Sequence, residues 1–490
     1  MTSNSGVVVE QVFIKVNGQS VDEKFYTDLI QVEVESSFEV PDMAVVTVRD
    51  DDLQWLESKD YSIGKSIEIQ FPVEGSTTPV TVMKGEITSV EPEYGDDYSA
   101  TLTIRGYDKR HRMNRGTTTA AWQEMDDKTL AGKPISDTGG LSISADTVTG
   151  GARAHAIQDN QTNFAFFHQL ARANGFEVYA DDTTINFKKA ETARGSTVTM
   201  EWGASLRSFR PRASAAGQVN EVKVRGWDPA QKAAIIGSAT SSTVEPDVDL
   251  GGSGGTVAQN AFGAATLVEV RRPVATQNEA DALAKGILNE INAGFIEAEG
   301  LCDGNPKLLS GVKVTLQNLG SQFNGTYLIT TARHVYSSDR YYTEFSVSGM
   351  RPRLISELAS GSLITASEIQ RWYGVVPAIV TNVNDPDDMG RVKLKYPWLD
   401  DSLESGWARV AMMGAGSGRG FNWLPEVDDE VVVAFQLGDI NYPYVIGGVY
   451  NGSDAVPDAQ KHAQDGKIEQ RTIKTRAGHV IRFTAFVGEA

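Results

Sequence analysis

A chain of 490 residues is longer than one hydrophobic core ordinarily organises, so three or four domains of about 100 to 150 residues each are expected. Hydrophobic residues at 40% and charged residues at 22%, with no run of about 18 apolar residues, exclude a disordered chain and a membrane-spanning helix. Lys and Arg total 45 against 64 Asp and Glu, and the resulting net charge of −19 disfavours nucleic-acid binding.

Glycine is abundant at 47 and proline scarce at 17, a balance that favours tight turns between short strands. The single cysteine, Cys302, excludes an internal disulfide framework and any cysteine-rich metal site, and suits assembly in a reducing compartment. The opening residues lack a basic segment followed by an apolar one, so no secretory signal is expected.

In chain order, residues 7–16, 30–36, 44–48, 66–71, 80–90 and 100–106 are rich in Val, Ile and Thr and bounded by Gly, Pro or Asp clusters, which predicts a first hub β-barrel over 1–115. Asp50, Asp51 and Asp52 within it are expected to form a solvated turn. An α/β insertion is predicted over 116–205. There Thr162 caps a helix with Phe166, Phe167, Leu170 and Ala171 on its apolar face, Gly175 stops it, and strands follow at 176–179 and 184–187. A second hub barrel is expected over 206–355, with strands at 221–226, 312–316, 326–335 and 341–347. Within that stretch Gly251, Gly252, Gly254 and Gly255 predict a flexible surface loop. Thr276 and Glu279 form a capping box ahead of an apolar stripe of Ala280, Leu283, Ile287 and Ile291. Residues 356–373 are a predicted linker.

Residues 374–453 carry five short strands in about 80 residues, the texture of a small closed barrel of OB type. Val392, Leu394 and Tyr396 alternate with Lys393 and Lys395 as in a half-exposed strand. The ordered set Asp385-Pro386 to Gly390-Arg391-Val392-Lys393, Pro397-Trp398, Trp407-Ala408-Arg409-Val410, Leu424-Pro425-Glu426-Val427, Asp429-Glu430-Val431 and Tyr450-Asn451-Gly452 resembles the OB domain of VgrG proteins and related phage-tail spike proteins. Upstream, Arg105-Gly106-Tyr107, Arg333 to Tyr336 and Tyr342 to Phe345 are similar to weaker signatures of that family. The resemblance implies a mainly β chain: two hub barrels with an α/β insertion, an OB neck, and over 454–490 the start of a trimeric β-prism or β-helix spike. It also implies a non-enzymatic homotrimer of a contractile injection system. Such a trimer caps an inner tube, joins baseplate proteins and carries a PAAR-type tip protein or effector cargo. It assembles in the bacterial cytoplasm and is delivered outward on contraction through a target envelope it touches only transiently. Family spikes usually continue past Gly478-His479-Val480-Ile481, so a short needle, one completed by another protein, or a truncated chain is expected.

The tail supports this independently. Ile473, Thr475, Ala477, Ile481 and Phe483 alternate with Thr472, Lys474, Arg476 and Arg482, and a lone strand with one apolar side needs partner chains.

No catalytic, cofactor or metal site is predicted. The loop from Gly414 to Gly420 places Ala415 and Arg419 where a nucleophile elbow around Ser417 needs glycine. Asp385, Asp387 and Asp388 evoke a calcium loop, but Met389 and Tyr396 stand where oxygen ligands are required. His111, His155, His168, His334, His462 and His479 include no pair at helical two-ligand spacing. Glu426, Asp429 and Glu430 are the acids a cell-wall glycan hydrolase would use, and an OB-fold carbohydrate-binding or nucleic-acid module is a further rival. A tight turn in water is the expected setting for those acids, and no clustered aromatic-basic groove for nucleic acid is evident.

Overall fold

The computed structural model describes residues 12–73, 78–244, 247–337, 340–347, 371–457, 463–464 and 467–484. Most of the expected linker, and residues 7–11 of the first expected strand, lie outside the described residues. The chain divides into two units, Met1–Gln370 and Arg371–Ala490.

The first unit is organised by one eleven-stranded sheet. Period-two alternation builds it: Leu29–Ser37 buries Val32 and Val34, and Met43–Arg49 buries Ala44, Val46 and Val48. Strands from both expected hub barrels join in this one sheet. Thr331–Ser337, from the second expected barrel, pairs antiparallel with Leu29–Ser37, from the first, in a register running from Thr331 opposite Ser37 to Ser337 opposite Gln31. Arg333 spans this junction, donating to Glu33 at 2.7 Å and Glu344 at 3.1 Å. Each strand would otherwise expose a row of unpaired backbone groups, and mutual pairing removes both edges. Two cores persist beneath the shared sheet. One gathers Ile14, Phe25, Trp55 and Phe71, and the other Leu206, Phe295, Tyr327 and Phe345.

His334 sits at the seam with its ring stacked on Phe71 at 6.1 Å. Its Nε2 lies 2.8 Å from the Leu308 carbonyl and its Nδ1 2.9 Å from the Tyr341 hydroxyl, and burial holds its pKa down at about 4. It is a neutral core imidazole.

The Asp50 expectation is also corrected. Asp50 is buried, and its carboxylate accepts the backbone N–H groups of Trp55 and Leu56, both at 2.9 Å, where the short helix Gln54–Glu57 begins. Asp51 and Asp52 remain exposed.

The insertion forms as its sequence dictates. Thr162 Oγ1 accepts the N–H of Ala165 at 3.1 Å, the helix Asn163–Asn174 buries Phe166, Phe167, Leu170 and Ala171, and Gly175 ends it in the left-handed region at φ +66. Each large apolar side chain buried this way contributes about 1.5–3 kcal/mol. A Cβ at Gly175 would also lie 3.3 Å from the Cα of Gly286 on the helix Gln277–Ala293, a tight approach added to the demand of its positive φ. That second helix begins at Thr276, whose Oγ1 accepts the N–H of Glu279 at 3.2 Å, while the Glu279 carboxylate reaches back to the N–H of Ala275 at 2.9 Å. Its stripe of Ala280, Leu283, Ala284, Ile287 and Ile291 packs on one face of a three-stranded sheet of Glu221–Asp228, Ala233–Ala239 and Thr266–Glu269.

The expected flexible glycine loop is instead the start of a helix, Gly254–Phe262, capped by Ser253. Gly254 and Gly255 are buried, and a Cβ on them would meet Gln218 Oε1 at 2.4 Å and the Val219 carbonyl at 2.6 Å. Those glycines serve close packing rather than mobility.

Glu177, on the strand Phe176–Asp181, is buried with its Oε1 lacking a hydrogen-bond partner among the described residues. Burial, and then the neighbouring Glu39 charge, push its pKa up to about 8 from an ordinary 4.5. The folded state therefore holds a proton that the unfolded chain releases, and stability falls as pH rises from 4.5 towards 8. Glu177→Gln is expected to raise stability at pH 7 by about 1–3 kcal/mol, with the gain vanishing below the carboxylate range. Paired thermal melts at neutral and acidic pH check this, and an equal shift at both would refute it.

Candidate functional site

The second unit opens with a closed barrel of Val375–Asn382, Arg391–Lys395, Ala408–Val410, Pro443–Gly448 and Glu430–Phe435. Ala378, Val380, Val392, Leu394, Tyr396, Val431, Val433 and Val445 fill it. The alternation at 392–396 thus places its apolar members inside and its lysines outside, as expected.

The acidic loop before the second barrel strand is a clasp. The Asp385 carboxylate accepts the backbone N–H groups of Asp387 at 3.1 Å, Met389 at 2.9 Å and Arg391 at 3.1 Å, and the Arg391 guanidinium donates to both of its oxygens. Hydrogen bonds from Arg391 hold this carboxyl well below the usual carboxylate range. Asp387 takes a second bond from Arg391. Asp385 and Asp387, two of the three carboxylates that resemble a calcium loop, are thereby spent on closing a turn.

Sequence reading missed one feature. On the outside of the barrel Arg391 and Lys393 lie over the Trp407 ring at 5.9 and 5.4 Å, and Arg409 lies over Tyr444 at 5.4 Å. An aromatic-basic row therefore exists, assembled from strands distant in sequence. Its cations are already engaged: Arg391 by Asp385 and Asp387, Lys393 by Glu404 at 2.9 Å, and Arg409 by the Tyr444 hydroxyl at 3.2 Å. The only spacing signal for it was the basic period-two run at 391–395 facing Trp407.

The three acids of the hydrolase reading are likewise tied up. Glu426 pairs with Arg476, Asp429 accepts the N–H of Glu426 at 2.8 Å, and Glu430 accepts from Asn451 at 2.7 Å. Glu426 and Asp429 line a groove of about 560 Å³ with Trp423, Leu424, Val427 and Lys474. Among the described residues no group of three or more His, Cys, Asp or Glu side chains is placed to hold a metal ion. His111 bonds Glu86 at 3.0 Å, burial in its helix pulls His168 down to about 3, and the Nδ1 of His479 lies 3.1 Å from the Thr475 hydroxyl. His462 lies outside the described residues.

Arg476 belongs to the tail, where the lone-strand expectation is corrected. Gln470–Lys474 and Val480–Thr484 form an antiparallel hairpin, and Thr475 and Ala477 fall in its turn. Ile473 pairs with Ile481 and Arg471 with Phe483, so Ile473, Ile481 and Phe483 share one face. All three are exposed, from 39% to 63%.

The model of the Alg8 N-terminal domain matches residues 6–338, and that of the type VI secretion system/phage-baseplate injector OB domain matches residues 376–450. The type VI secretion system spike protein VgrG3 of Vibrio cholerae is 28% identical over 183 residues, covering 31% of this chain and 16% of its own length. VgrG1a of Pseudomonas aeruginosa is 39% identical over 93 residues, covering 18% of this chain and 14% of its own. The chain belongs to the Alg8 N-terminal domain family, and its second unit is similar to the OB domain of type VI secretion and phage-baseplate injectors. It aligns with less than a fifth of the length of these VgrG relatives, another of which is named an actin cross-linking toxin. In fold, the chain resembles an E. coli component of the type VI secretion system at a TM-score of 0.54 and 15% identity, over 89% of this chain and 99% of that one. It also resembles the Francisella PdpA-VgrG complex at 0.54 and 9% identity, over 97% and 84%. No helix among the described residues is long and apolar enough to cross a membrane.

Proposed function

We propose that the chain acts mechanically, as a homotrimer that terminates an inner tube with its first unit, joins a baseplate, and forms the neck and base of a spike with its second. The observation that carries this reading is the tail hairpin: a two-stranded ribbon with Ile473, Ile481 and Phe483 on one exposed face. An isolated two-stranded hairpin is marginal in water, and three copies winding about a common axis would bury that face. Partners on this reading are a tube protein, baseplate proteins, a PAAR-type tip protein and effector cargo, with no nucleic acid and no catalysis by this chain. The engagement of Glu426 by Arg476 favours a structural over a hydrolytic use of the groove.

Sedimentation velocity tests it. The wild type is expected to sediment as a trimer at micromolar concentration, and Ile481→Asp with Phe483→Asp to weaken association at least about tenfold, the equivalent of about 1.4 kcal/mol. A monomeric wild type would overturn the reading. Turnover of peptidoglycan that is lost on Glu426→Gln would favour the hydrolase instead.

A further inference from the structure

Two surfaces of the first unit are unusual for opposite reasons. The hairpin joining Val80–Tyr94 to Ala100–Asp108 projects nine consecutive exposed residues, 91–99. It carries Glu91, Glu93, Asp96 and Asp97 together with Tyr94 and Tyr98, the latter 96% exposed. Its turn is fixed: Gly95 N–H donates to the Ser99 carbonyl at 2.8 Å, Ser99 N–H donates to Asp97 at 3.1 Å, and Tyr98 is held at φ +63. A rigid acidic and aromatic tip results.

The second surface is the face of the three-stranded sheet turned away from the helix Gln277–Ala293. Strand alternation places Lys223, Arg225 and Trp227, then Ala234 and Ile236, and then Val268 and Val270 on that side. Register sets Arg225 opposite Ile236 and Lys223 beside Val268. Trp227, Ile236, Val268 and Val270 are between 44% and 54% exposed. A solvated sheet face ordinarily carries polar residues, and a contiguous apolar patch edged with cations marks an interaction surface. Lys232, before Ala233–Ala239, and Arg271, after Thr266–Glu269, are exposed at the strand ends, and Glu221 shares the face, pairing with Lys223 at 2.8 Å and leaving Arg225 as its central cation.

In a chain of net charge −19, copies repel unless each offers the other a basic counterpart. We propose that neighbouring copies meet here, the acidic-aromatic hairpin tip of one lying on the basic-apolar sheet face of the next. Tyr94 and Tyr98 cover Trp227, Ile236 and the two valines, while Glu93 and Asp96 face Lys223 and Arg225. The two patches differ, so the contact is heterologous and closes into a ring when the rotation per copy allows. This inference rests on the reading that the chain assembles with copies of itself, and it assigns a second contact, independent of the tail.

Charge reversal on the full chain tests it. Glu93→Lys with Asp96→Lys leaves the Asp97 turn contacts intact and is expected to weaken self-association by about tenfold or more, as is Lys223→Glu with Arg225→Glu. Combining all four substitutions is expected to restore wild-type association, and that recovery is the supporting result. Circular dichroism is expected to be unchanged throughout, since every substituted side chain is at the surface. If the wild type associates and either reversal leaves association untouched, or the combined variant does not recover, this contact is refuted while the multimer stands. A wild type that stays monomeric removes both.

Discussion

Arg110→Leu is expected to destabilise the first unit by about 3–5 kcal/mol, the cost of leaving buried charge uncompensated. Arg110 is 0% exposed and sits in the 3-10 turn Lys109–Asn114 that leads from the central sheet into the insertion. Its guanidinium donates to Asp42 at 2.8 Å, to Asp108 at 2.7 Å, and to the carbonyls of Ser37 and Val178 at 3.2 Å. Asp108 in turn accepts the N–H of Asp42 at 2.6 Å, and Asp42 that of Ser37 at 3.0 Å. One side chain thus ties a sheet strand, the loop after it and a strand of the insertion.

Two carboxylates share this single cation. Burial pushes Asp42 up to about 6 from an ordinary 3.8, with Arg110 pulling it down and Asp108 pushing it up. Removing Arg110 strands both acids in low dielectric, and adding Asp42→Asn to Arg110→Leu is expected to recover part of the loss. Chemical denaturation followed by hydrogen exchange in residues 29–49 and 176–181 reads the effect. A shift of less than about 1 kcal/mol would place Arg110 among ordinary surface cations.

The second large effect is expected at Asp385. Asp385→Ala leaves the N–H groups of Asp387, Met389 and Arg391 without their acceptor and removes the principal partner of Arg391, a combined cost of about 3–5 kcal/mol to the barrel. Asp385→Asn keeps an acceptor oxygen and is expected to lose less. Lys393→Ala, which breaks the more exposed pair with Glu404, is expected to cost about 1 kcal/mol or less. Because the folded-state pKa of Asp385 is depressed, its contribution is fully present above the ordinary 3.8 and is lost as pH falls below it. Thermal melts of the three variants at neutral pH rank these costs. Equal losses in Asp385→Ala and Lys393→Ala would sink the clasp argument.

These two sites differ in how far local sequence reveals them. Asp385 and Arg391 are six residues apart, so a turn brings them together and the motif that carries the family resemblance is also the bond that closes the loop. Arg110 meets Ser37, Asp42 and Val178, and nothing in the spacing of those residues announces the meeting. Glu177 is similar: its strand was legible, but its protonation follows from what packs over it. The aromatic-basic row on the barrel was missed because Trp407 and Tyr444 come from strands that only barrel closure makes neighbours of Arg391 and Arg409.

Features that depend on neighbours a few residues away are legible in the amino-acid order. Helix starts at Thr162 and Thr276, the stop at Gly175, the alternation that makes strands, and the OB motif order all arise from local capping, turn chemistry and period. Tertiary structure alone decided what depends on which edges meet. It joined Thr331–Ser337 to Leu29–Ser37, so that strands of both expected barrels share one sheet over two cores. It also folded the tail back into a hairpin, and turned a glycine run into a helix start wedged against Gln218 and Val219. Strand alternation says which face is buried but not which strand lies alongside, because backbone hydrogen bonding is the same for every sequence.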